Sequence, residues 1–336
     1  MSEVGDRGGA GGGAGDGGGA GRGGRGGRRL CLAILAAALA GLGLGRLAGL
    51  WIAFDLFNHF LWHLAILAVA AVIACLLPRW RTRAAIALAL AGFFGISLGA
   101  LTFGRDAGTL TPPAPGERAL KVMSFNTWLS NDDWRAVAAE VTRQDADVVV
   151  LVEFGSEKAP LLDALAAAYP YRVDCLKISY CHLAVISKYP FSKSEARTRW
   201  RGPPFIRVRF GAELGNLTVF GVHTIRPPYF RSQLKQFGSM ARIIAATPGP
   251  RLAAGDFNAT PPSVMLDTFV QGSGLERLTW LPTWPARFGP FPQIAIDHMF
   301  VSSEIRVLSR PVLGDNAGSD HYPVIATIAV KTGPGR

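Results

Sequence analysis

The sequence has little of the features that mark several common enzyme classes. It contains four cysteines, and their positions form no Cys–His zinc spacing. The Gly-rich residues 8–27 lack the Lys-Ser/Thr ending and the preceding strand of a phosphate-binding P-loop. Ser124 and Ser319 lie outside the context of a nucleophile elbow. The sequence therefore argues against a zinc enzyme, a P-loop nucleotide hydrolase and a serine hydrolase.

Apolar residues are nearly absent from the first 28 positions, which are mostly glycine with four arginines. Such a segment buries too little surface to offset the entropy of ordering it. We therefore expect residues 1–28 to form a disordered, Gly/Arg-rich cytoplasmic tail. An RNA-binding arm is the alternative, but no aromatic residue stands between the arginines to stack on bases.

Charge is scarce in residues 29–103, where three apolar stretches cover 30–50, 60–77 and 84–103. A helix needs roughly 20 apolar residues to span a membrane, and the three stretches approach that length. We therefore expect a membrane domain with three spanning helices. A cleaved signal peptide would account for the first stretch alone. Helices buried in a soluble domain would show a polar face, which these stretches lack.

Basic residues are unevenly distributed around this membrane domain. Arginines precede the first stretch and separate the second from the third, whereas residues 49–59 contain Asp55 and neither Lys nor Arg. Because basic loops stay in the cytoplasm, we expect the chain after residue 103 to lie outside it. Asp55, His59 and His63 lie near the predicted membrane interface, where we expect a structural role.

Prolines and glycines mark residues 104–118 as a linker. From residue 119 short strands alternate with helical segments, which indicates one α+β domain over 119–331 and a short tail at 332–336. Cys175 and Cys181 lie in this domain, six positions apart. An oxidising compartment would permit a disulfide between them, and two free buried thiols are the alternative.

Polar side chains stand at the ends of the predicted strands of this domain. They are Asn126, Glu153, His223, Asp256, Asn258, Asp297, Asp320 and His321. Each has an ordinary explanation when taken alone, such as a turn residue, a helix cap, a core histidine or an Asx turn. Strands of one sheet present their ends along one rim, so we expect these side chains to converge.

Six short blocks of sequence carry a resemblance to a known family. In chain order they are Ser124-Phe125-Asn126, Val149-Val150-Leu151-Val152-Glu153, Gly221-Val222-His223, Gly255-Asp256-Phe257-Asn258, Ile296-Asp297-His298 and Gly318-Ser319-Asp320-His321. Residues 119–331 resemble the endonuclease/exonuclease/phosphatase superfamily of metal-dependent phosphoesterases, which includes type I deoxyribonucleases and neutral sphingomyelinases. The resemblance implies a DNase I-like, four-layer α/β/β/α sandwich, here preceded by three transmembrane helices.

The predicted membrane helices further resemble a bacterial branch of this superfamily, which implies a multi-pass protein of the inner membrane with a periplasmic catalytic domain. The resemblance also implies a cation site. Glu153 would be the main ligand of Mg²⁺ or Mn²⁺, with Asn126 and Asp320 beside it. Hard oxygen ligands suit such a cation.

The resemblance assigns the chemistry to five further residues. Asp256 would orient or deprotonate the attacking water, and Asn258 would hold a phosphate oxygen. His321 would stabilise the charge on the phosphate, and Asp297 would pair with His321 and raise its pKa. His223 would be a second acid/base or a phosphate contact. The implied reaction is in-line attack of water on phosphorus.

The sequence departs from the family pattern in two respects. Some nucleases of the superfamily pair the middle histidine with a second acid, and none stands near residues 182–187, which leaves the partner of His223 open. Insertions that grip duplex DNA are not evident either. Residues 119–331 hold 23 Lys and Arg against 18 Asp and Glu, a mild net charge of +5.

Three residues beside the predicted rim have two explanations each. Arg226, just after His223 and before two prolines, could reach a substrate phosphate or belong to a proline-stiffened surface. Trp280 and Trp284 could wall a cleft near Asp297 or pack in the core.

The leading hypothesis is a membrane-anchored, Mg²⁺- or Mn²⁺-dependent phosphodiesterase or nuclease-like hydrolase that works outside the cytoplasm. Its partner would be a phosphate ester, either nucleic acid or a lipid or small molecule, and no obligate protein partner is evident. A phospholipid or small phosphate-ester hydrolase is one alternative to a nuclease. A non-catalytic membrane-tethered binding protein that reuses the fold is another, and an inverted topology would make the domain a cytoplasmic DNA-repair nuclease.

Overall fold

The N-terminal region is helical. The computed structural model describes residues 19–76, 81–106, 108–178, 181–199, 202–286 and 293–333. Its first helices are α1 (Gly19–Arg46), α2 (Asp55–His59), α3 (Leu61–Leu76) and α4 (Arg81–Gly104), with a 3-10 turn at Ile52–Phe54. Residues 19–28, predicted as disordered, are therefore helical, because a helix nucleated in the apolar part of α1 gains one hydrogen bond for each residue added. Residues 1–18 of the predicted tail lie outside the described residues.

The described residues contain one helix long and apolar enough to cross a membrane, Gly26–Arg46. Ile52–His59 and Leu61–Leu76 pass the same test only as a pair, which is bent by 64°. The described apolar part of α4, Ala85–Gly95, is shorter. The prediction of three spanning helices is therefore corrected to one, or two if the bent pair is a single span. Residue 77, where the second predicted stretch ends, lies outside the described residues.

The bend between α2 and α3 occurs where α2 is tied to the large domain. The Asp55 carboxylate accepts hydrogen bonds from Ser263 Oγ at 2.5 Å and from Val264 N at 2.9 Å. His59 Nδ1 accepts a hydrogen bond from Thr260 N at 3.2 Å. Asp55 and His59 are both buried. Their role is therefore the structural one that we predicted, and it holds α2 at an angle to α3.

The large domain is built on two β-sheets. Its strands are β1 (Glu117–Asn126), β2 (Val148–Val152), β3 (Tyr171–Asp174), β4 (Leu183–Ser187), β5 (Phe191–Arg199), β6 (Gly202–Phe210), β7 (Thr218–His223), β8 (Arg251–Asp256), β9 (Glu276–Arg277), β10 (Asp297–Val301), β11 (Arg306–Val307), β12 (Val312–Leu313) and β13 (Val324–Lys331). The first sheet has the order β11-β13-β1-β2-β4-β3, with β12 also paired to β13. The second has the order β5-β6-β7-β8-β10-β9.

Helices cover the outer face of each sheet. The helices α5 (Trp134–Gln144) and α6 (Ala159–Ala164) share a buried apolar cluster with the first sheet. The helices α7 (Phe230–Ala245) and α8 (Val264–Ser273) share another with the second sheet. A third cluster fills the space between the sheets. The layers therefore run helix, sheet, sheet, helix, which is the sandwich expected for the mixed α+β domain.

The alternation of side chains along the strands and one glycine allow the two sheets to pack closely. Val122 of β1 points into the cluster between the sheets, and its neighbour Met123 points to the helix side, as the period of two in a strand requires. Gly221 lies where the sheets approach closely, since a Cβ there would come within 2.9 Å of a methyl carbon of Val150. Each sheet has a central parallel pair, β1 with β2 and β7 with β8, so four strands end close together.

Candidate active site

The first sheet contributes Asn126 and Glu153. Asn126 is the last residue of β1 and pairs with Val152, the last residue of β2. Glu153 follows directly and has a φ of 52°, a left-handed conformation that turns the chain sharply at the strand end. The parallel pairing thus places an amide and a carboxylate side by side. Asn126 Nδ2 lies 3.2 Å from Glu153 Oε1.

The second sheet contributes three residues from three neighbouring strands. His223 pairs with Asp256 across β7 and β8, and Asp297 pairs with Asp256 across β10 and β8. Gly255 makes this possible, because its φ is +149° and a Cβ there would lie 1.9 Å from Val222 O. Only glycine accepts that conformation and that approach.

Asn126 connects the two sheets. Its Nδ2 donates to Asp256 Oδ2 at 3.0 Å and lies 3.4 Å from His321 Nε2. Its Oδ1 accepts a hydrogen bond from Trp128 N at 2.9 Å, which orients the amide. The Nδ2 group, rather than Oδ1, therefore faces the carboxylates. Ligation of a cation through Oδ1 would require this amide to rotate.

Glu153 is held as an anion. Its Oε2 accepts a hydrogen bond from Leu129 N at 2.9 Å. Burial opposes ionisation, but His223, the Leu129 N–H and Asn126 together keep the pKa of Glu153 below its ordinary value. The Glu153 carboxylate therefore presents negative charge to the cleft at neutral pH.

Lys158 supports this corner, although no motif in the sequence singles it out. Its side chain is fully buried. The Lys158 ammonium donates to the carbonyls of Trp128 at 2.9 Å and Leu129 at 3.3 Å. These contacts fix the loop whose N–H groups bind Asn126 and Glu153. A lysine in a loop reads as a surface residue, so only the three-dimensional packing reveals this role.

His321 and Asp297 form a tight pair. His321 Nδ1 lies 2.7 Å from Asp297 Oδ2, and both side chains are buried. Burial alone would lower the pKa of His321, but the Asp297 carboxylate and its hydrogen bond raise it to about 10. His321 is therefore an imidazolium at neutral pH, and its Nε2–H lies beside the cluster, 3.9 Å from Asp320 Oδ1.

Asp256 lies at the centre of the cluster. Burial, with the Asp297 carboxylate nearby, raises the pKa of Asp256 to about 8. Asp256 Oδ1 accepts a hydrogen bond from Asn258 N at 2.7 Å, the Asx contact considered from the sequence. Asp256 Oδ2 faces Asn126. The turn at Asp256 and Asn258 is therefore real, and it coexists with a position inside the cluster.

His223 and Asn258 border the same cleft. His223 Nε2 lies 3.8 Å from Glu153 Oε1 and 4.0 Å from Asp256 Oδ2, so these two acids are its neighbours. Burial lowers the pKa of His223, which favours the neutral imidazole at neutral pH. Asn258 has a φ of 47°, and its Nδ2 donates to Thr224 O at 2.9 Å.

Asp320 is positioned by a tryptophan. Trp284 Nε1 donates to Asp320 Oδ2 at 3.2 Å, so Trp284 walls the site as one of its two predicted roles required. Asp320 Oδ1 lies 3.9 Å from His321 Nε2. Burial raises the pKa of Asp320.

Arg226 and the cysteines lie apart from this cluster. Arg226 is exposed in the loop after β7, and the cis peptide between Pro227 and Pro228 follows it. Cys175 and Cys181 form a disulfide with their Cα atoms 5.7 Å apart. Of the predicted site residues, the structure thus brings together the eight at strand ends and leaves Arg226 at the margin.

The donor set fits a hard divalent cation. Glu153, His223 and Asp256 place ligand atoms within 4.8 Å of one another. Two carboxylate oxygens, Asp297 Oδ1 and Asp320 Oδ1, are buried without a hydrogen-bond partner in the described structure. Buried carboxylate oxygens are normally paired or bound to a cation. Oxygen donors of this kind are those that Mg²⁺ and Mn²⁺ prefer.

Comparison with known proteins gives a family match and several similar folds. The model of the Endonuclease/Exonuclease/phosphatase family matches residues 123–321. Sphingomyelinase C from Streptomyces griseocarneus is 20% identical with a TM-score of 0.50, over 62% of this chain and 99% of that one. An endonuclease/exonuclease/phosphatase from Bacteroides vulgatus is 16% identical with a TM-score of 0.51, over 63% of this chain and 98% of that one.

A third similar structure is an endonuclease/exonuclease/phosphatase from Beutenbergia cavernae. It is 21% identical with a TM-score of 0.50, over 63% of this chain and 72% of that one. No curated protein matches the chain. The structural likenesses show a shared fold.

Proposed function

The chain belongs to the endonuclease/exonuclease/phosphatase family of phosphoester hydrolases, and from this premise we propose that it hydrolyses a phosphodiester with Mg²⁺ or Mn²⁺ while anchored to a membrane. The observation that carries the proposal is the convergence of Glu153, Asp256 and His321 around Asn126. Such a cluster combines a cation site, a base and a charged hydrogen-bond donor in one cleft. That combination is what phosphoester hydrolysis requires.

Glu153 and Asp320 would hold the cation, with Asn126 joining them after rotation of its amide. When bound, the cation supplies Lewis-acid stabilisation of negative charge on the phosphate oxygens. The unpartnered Asp320 Oδ1 supports this assignment, since a bound cation would satisfy it. Trp284 would keep the other oxygen of Asp320 fixed.

Asp256 would act on the attacking water. A general base works best when its pKa lies near the working pH, and the pKa of Asp256 is raised to about 8. The Asp256 carboxylate would accept a proton from water as the water oxygen forms its bond to phosphorus. The Asn258 N–H holds Asp256 Oδ1 in place for this transfer, and Oδ2, which accepts from Asn126 before the amide rotates, is then available to the water.

His321 would stabilise the phosphate as charge builds on it. Because the Nδ1–H of His321 donates its hydrogen bond to Asp297, the Nε2–H of the imidazolium remains available to a phosphate oxygen. His223, neutral at neutral pH, would contact the phosphate and could protonate the departing oxygen only in its minor protonated form, and Asn258 would hold a further phosphate oxygen. The bond between phosphorus and the leaving oxygen breaks as water adds, so one phosphomonoester and one alcohol result.

The same proposal includes the location of the domain. We place α1 across the bacterial inner membrane with α3 and α4 beside it, the linker at 104–118, and the catalytic domain at 119–331 on the periplasmic side. The arginines in the N-terminal part of α1 and the Asp55-containing segment after it, which has neither Lys nor Arg, support this orientation. A disulfide between Cys175 and Cys181 also suits an oxidising compartment.

The experiment measures hydrolysis of bis(p-nitrophenyl) phosphate by the full chain in detergent. We expect release of p-nitrophenol with Mg²⁺ or Mn²⁺, loss of release in EDTA and recovery on adding the cation. Glu153→Gln should abolish release, whereas Glu276→Gln, which changes an exposed acid, should not. A Glu153→Gln protein that is folded and fully active would refute the assignment, and binding of Mn²⁺ without hydrolysis would favour the non-catalytic alternative.

A further inference from the structure

A cavity lies between the N-terminal helices and the catalytic domain, and we call it the junction pocket. It has a volume of about 370 Å³ and is lined from α3 and α4 on one side and from the catalytic domain on the other. The helices line it with residues that include Trp62, Ala65 and Ile66, and the domain lines it with residues that include Pro261 and Ile294. Its described lining residues include no Asp, Glu, Lys or Arg. The volume is within the range of small-molecule sites.

The junction pocket adjoins the active site through two chain segments. Thr260 lines the pocket two positions after Asn258, and Ala295 lines it two positions before Asp297. His298 Nε2 lies 2.8 Å from Ala259 O, which ties these two segments together. A molecule in the pocket therefore contacts the same two segments that hold Asn258 and Asp297.

The pocket is a fixed feature of the fold. Asp55 binds both Ser263 Oγ and Val264 N at the start of α8, so α2 is held against the catalytic domain. His59 Nδ1 accepts hydrogen bonds from both the backbone N–H and the hydroxyl of Thr260. These contacts join residues more than 200 positions apart in sequence. The helices and the domain thus form the walls together.

Two ring nitrogens of residues that line the pocket, His59 Nε2 and His63 Nδ1, have no hydrogen-bond partner in the described structure. His59 is 7% exposed and its Nε2 makes no hydrogen bond there. Because Thr260 N–H donates to Nδ1, Nδ1 is the acceptor and the proton of the neutral ring lies on Nε2. The pocket therefore presents mainly apolar walls, with the buried N–H donor of His59 and the side chains of His63 and Gln293 as polar groups, which would suit a hydrocarbon chain with a nearby ester oxygen.

The rim of the pocket has the character of a membrane interface. Trp62 is 66% exposed and Trp280 is 64% exposed, and both line the pocket. Arg277 stacks on Trp280 with its guanidinium carbon 3.8 Å from the ring centre. Tryptophan and snorkelling arginine are typical of the headgroup level. The helix α3, which carries Trp62, packs against α1.

We propose that the junction pocket binds the hydrocarbon chain of a phosphoester lipid whose phosphate occupies the Asp256–His321 site. The inference rests on the proposed hydrolytic function and names its substrate class. A nucleic acid would instead require a basic groove with stacking side chains for its bases. The walls of the pocket are aromatic and aliphatic but uncharged, so they would accept a chain and not a phosphate backbone.

The first experiment compares two substrates with the same leaving group, p-nitrophenyl hexadecyl phosphate and p-nitrophenyl methyl phosphate. The full chain in detergent should show a kcat/KM for the hexadecyl ester at least tenfold higher. Ala65→Phe, which fills the pocket, should lower the ratio of the two kcat/KM values several-fold. Val69→Phe changes an exposed residue of the same helix and should leave the ratio at its wild-type value.

A second measurement uses no catalysis, so it remains informative if hydrolysis fails or if Ala65→Phe is unstable. In EDTA, 12-bromododecyl methyl phosphate at submicellar concentration should quench tryptophan fluorescence saturably. Trp62→Phe should reduce the amplitude, and Ala65→Phe should weaken the saturable component while Val69→Phe retains it. Quenching that rises linearly with concentration and is equal in all variants would overturn the pocket assignment.

The two proposals fail in different ways. No hydrolysis of either ester would refute the proposed function, and the quenching experiment would still decide whether the pocket binds a chain. Hydrolysis with equal kcat/KM for the two esters would overturn the lipid assignment alone, even with saturable quenching, because the pocket would then hold a structural lipid. Faster cleavage of plasmid DNA than of the hexadecyl ester would also overturn it.

Discussion

The active-site cluster and the junction pocket share two short chain segments, yet they differ in charge and polarity. The cluster buries two acids, Asp256 and Asp297, and the imidazolium of His321, and Asn126 hydrogen-bonds Asp256 among them. The pocket buries apolar surface and one unpaired N–H of His59. The difference suggests a division of labour in which one side acts on a phosphate and the other selects what is attached to it.

The largest expected effect falls on the cluster. Asp256→Asn removes the proposed base while keeping the shape of the side chain. We expect the rate of hydrolysis to fall by about 10³-fold, within the range for loss of a general base. The measurement is kcat with Mg²⁺ on bis(p-nitrophenyl) phosphate. If the variant instead raised KM and kept kcat, Asp256 would bind substrate and not act on water.

Asp297→Asn tests the pairing with His321. Loss of the carboxylate should lower kcat by about 10²-fold, as for loss of one stabilising donor. The raised pKa of His321, about 10, should fall towards its ordinary value. Activity of the variant should therefore decline as pH rises through that lower pKa, at pH values where the wild-type imidazolium is still protonated. A histidine NMR titration that shows the same pKa in both proteins would contradict this.

Lys158→Met tests the support beneath Glu153. It keeps most of the aliphatic stem but removes the donor to the carbonyls of Trp128 and Leu129. Loss of these two hydrogen bonds from a charged donor should cost about 1–3 kcal/mol in the free energy of unfolding. Denaturant unfolding gives the value, and Lys235→Met on the exposed face of α7 is the control. Equal losses in the two variants would show that Lys158 contributes nothing specific.

Asp55→Asn tests the link between the helices and the domain, and should have the smallest effect. Removing the charge at the start of α8 should cost about 1 kcal/mol. Hydrogen exchange at Val264 and Met265 reports the loss locally. Asp267→Asn, an exposed acid in the first turn of the same helix, provides the control. The link would be unimportant if exchange rose equally in both variants.

The cluster could be predicted from the sequence because strand ends fix where side chains go. An apolar run that stops at Glu153 or His223 places that residue at the rim, whatever the rest of the chain does. The register then brings His223, Asp256 and Asp297 into one row. The sandwich and the strand-end residues therefore follow from local pattern together with family resemblance.

Other features depend on contacts that no local pattern contains. Asp55 binds Ser263, 208 positions away, so the residues just before the second predicted span form a helix that is docked on the large domain and bent by 64° from α3. The orientation of Asn126 depends on Trp128 N, and the burial of Lys158 depends on a loop that packs over it. Hydropathy measures composition along the chain, and such long-range contacts leave no periodic signal in it.

The junction pocket shows the same limit. Its walls come from residues that read separately as membrane helix, proline turn and cleft tryptophan. Only docking of α2 on the start of α8 brings Ala65 and Ile294 to one cavity. Trp280, for which the sequence allowed either cleft or core, lies at the exposed rim of this pocket.

The central claim is that water attacks phosphorus in the cluster around Asn126. Hydrolysis of p-nitrophenyl methyl phosphate in ¹⁸O-labelled water, analysed by mass spectrometry, tests it most directly. The account predicts one ¹⁸O atom in the phosphomonoester and none in the alcohol, with incorporation lost in the folded Asp256→Asn protein. Label in the alcohol, or undiminished incorporation in Asp256→Asn, would contradict it.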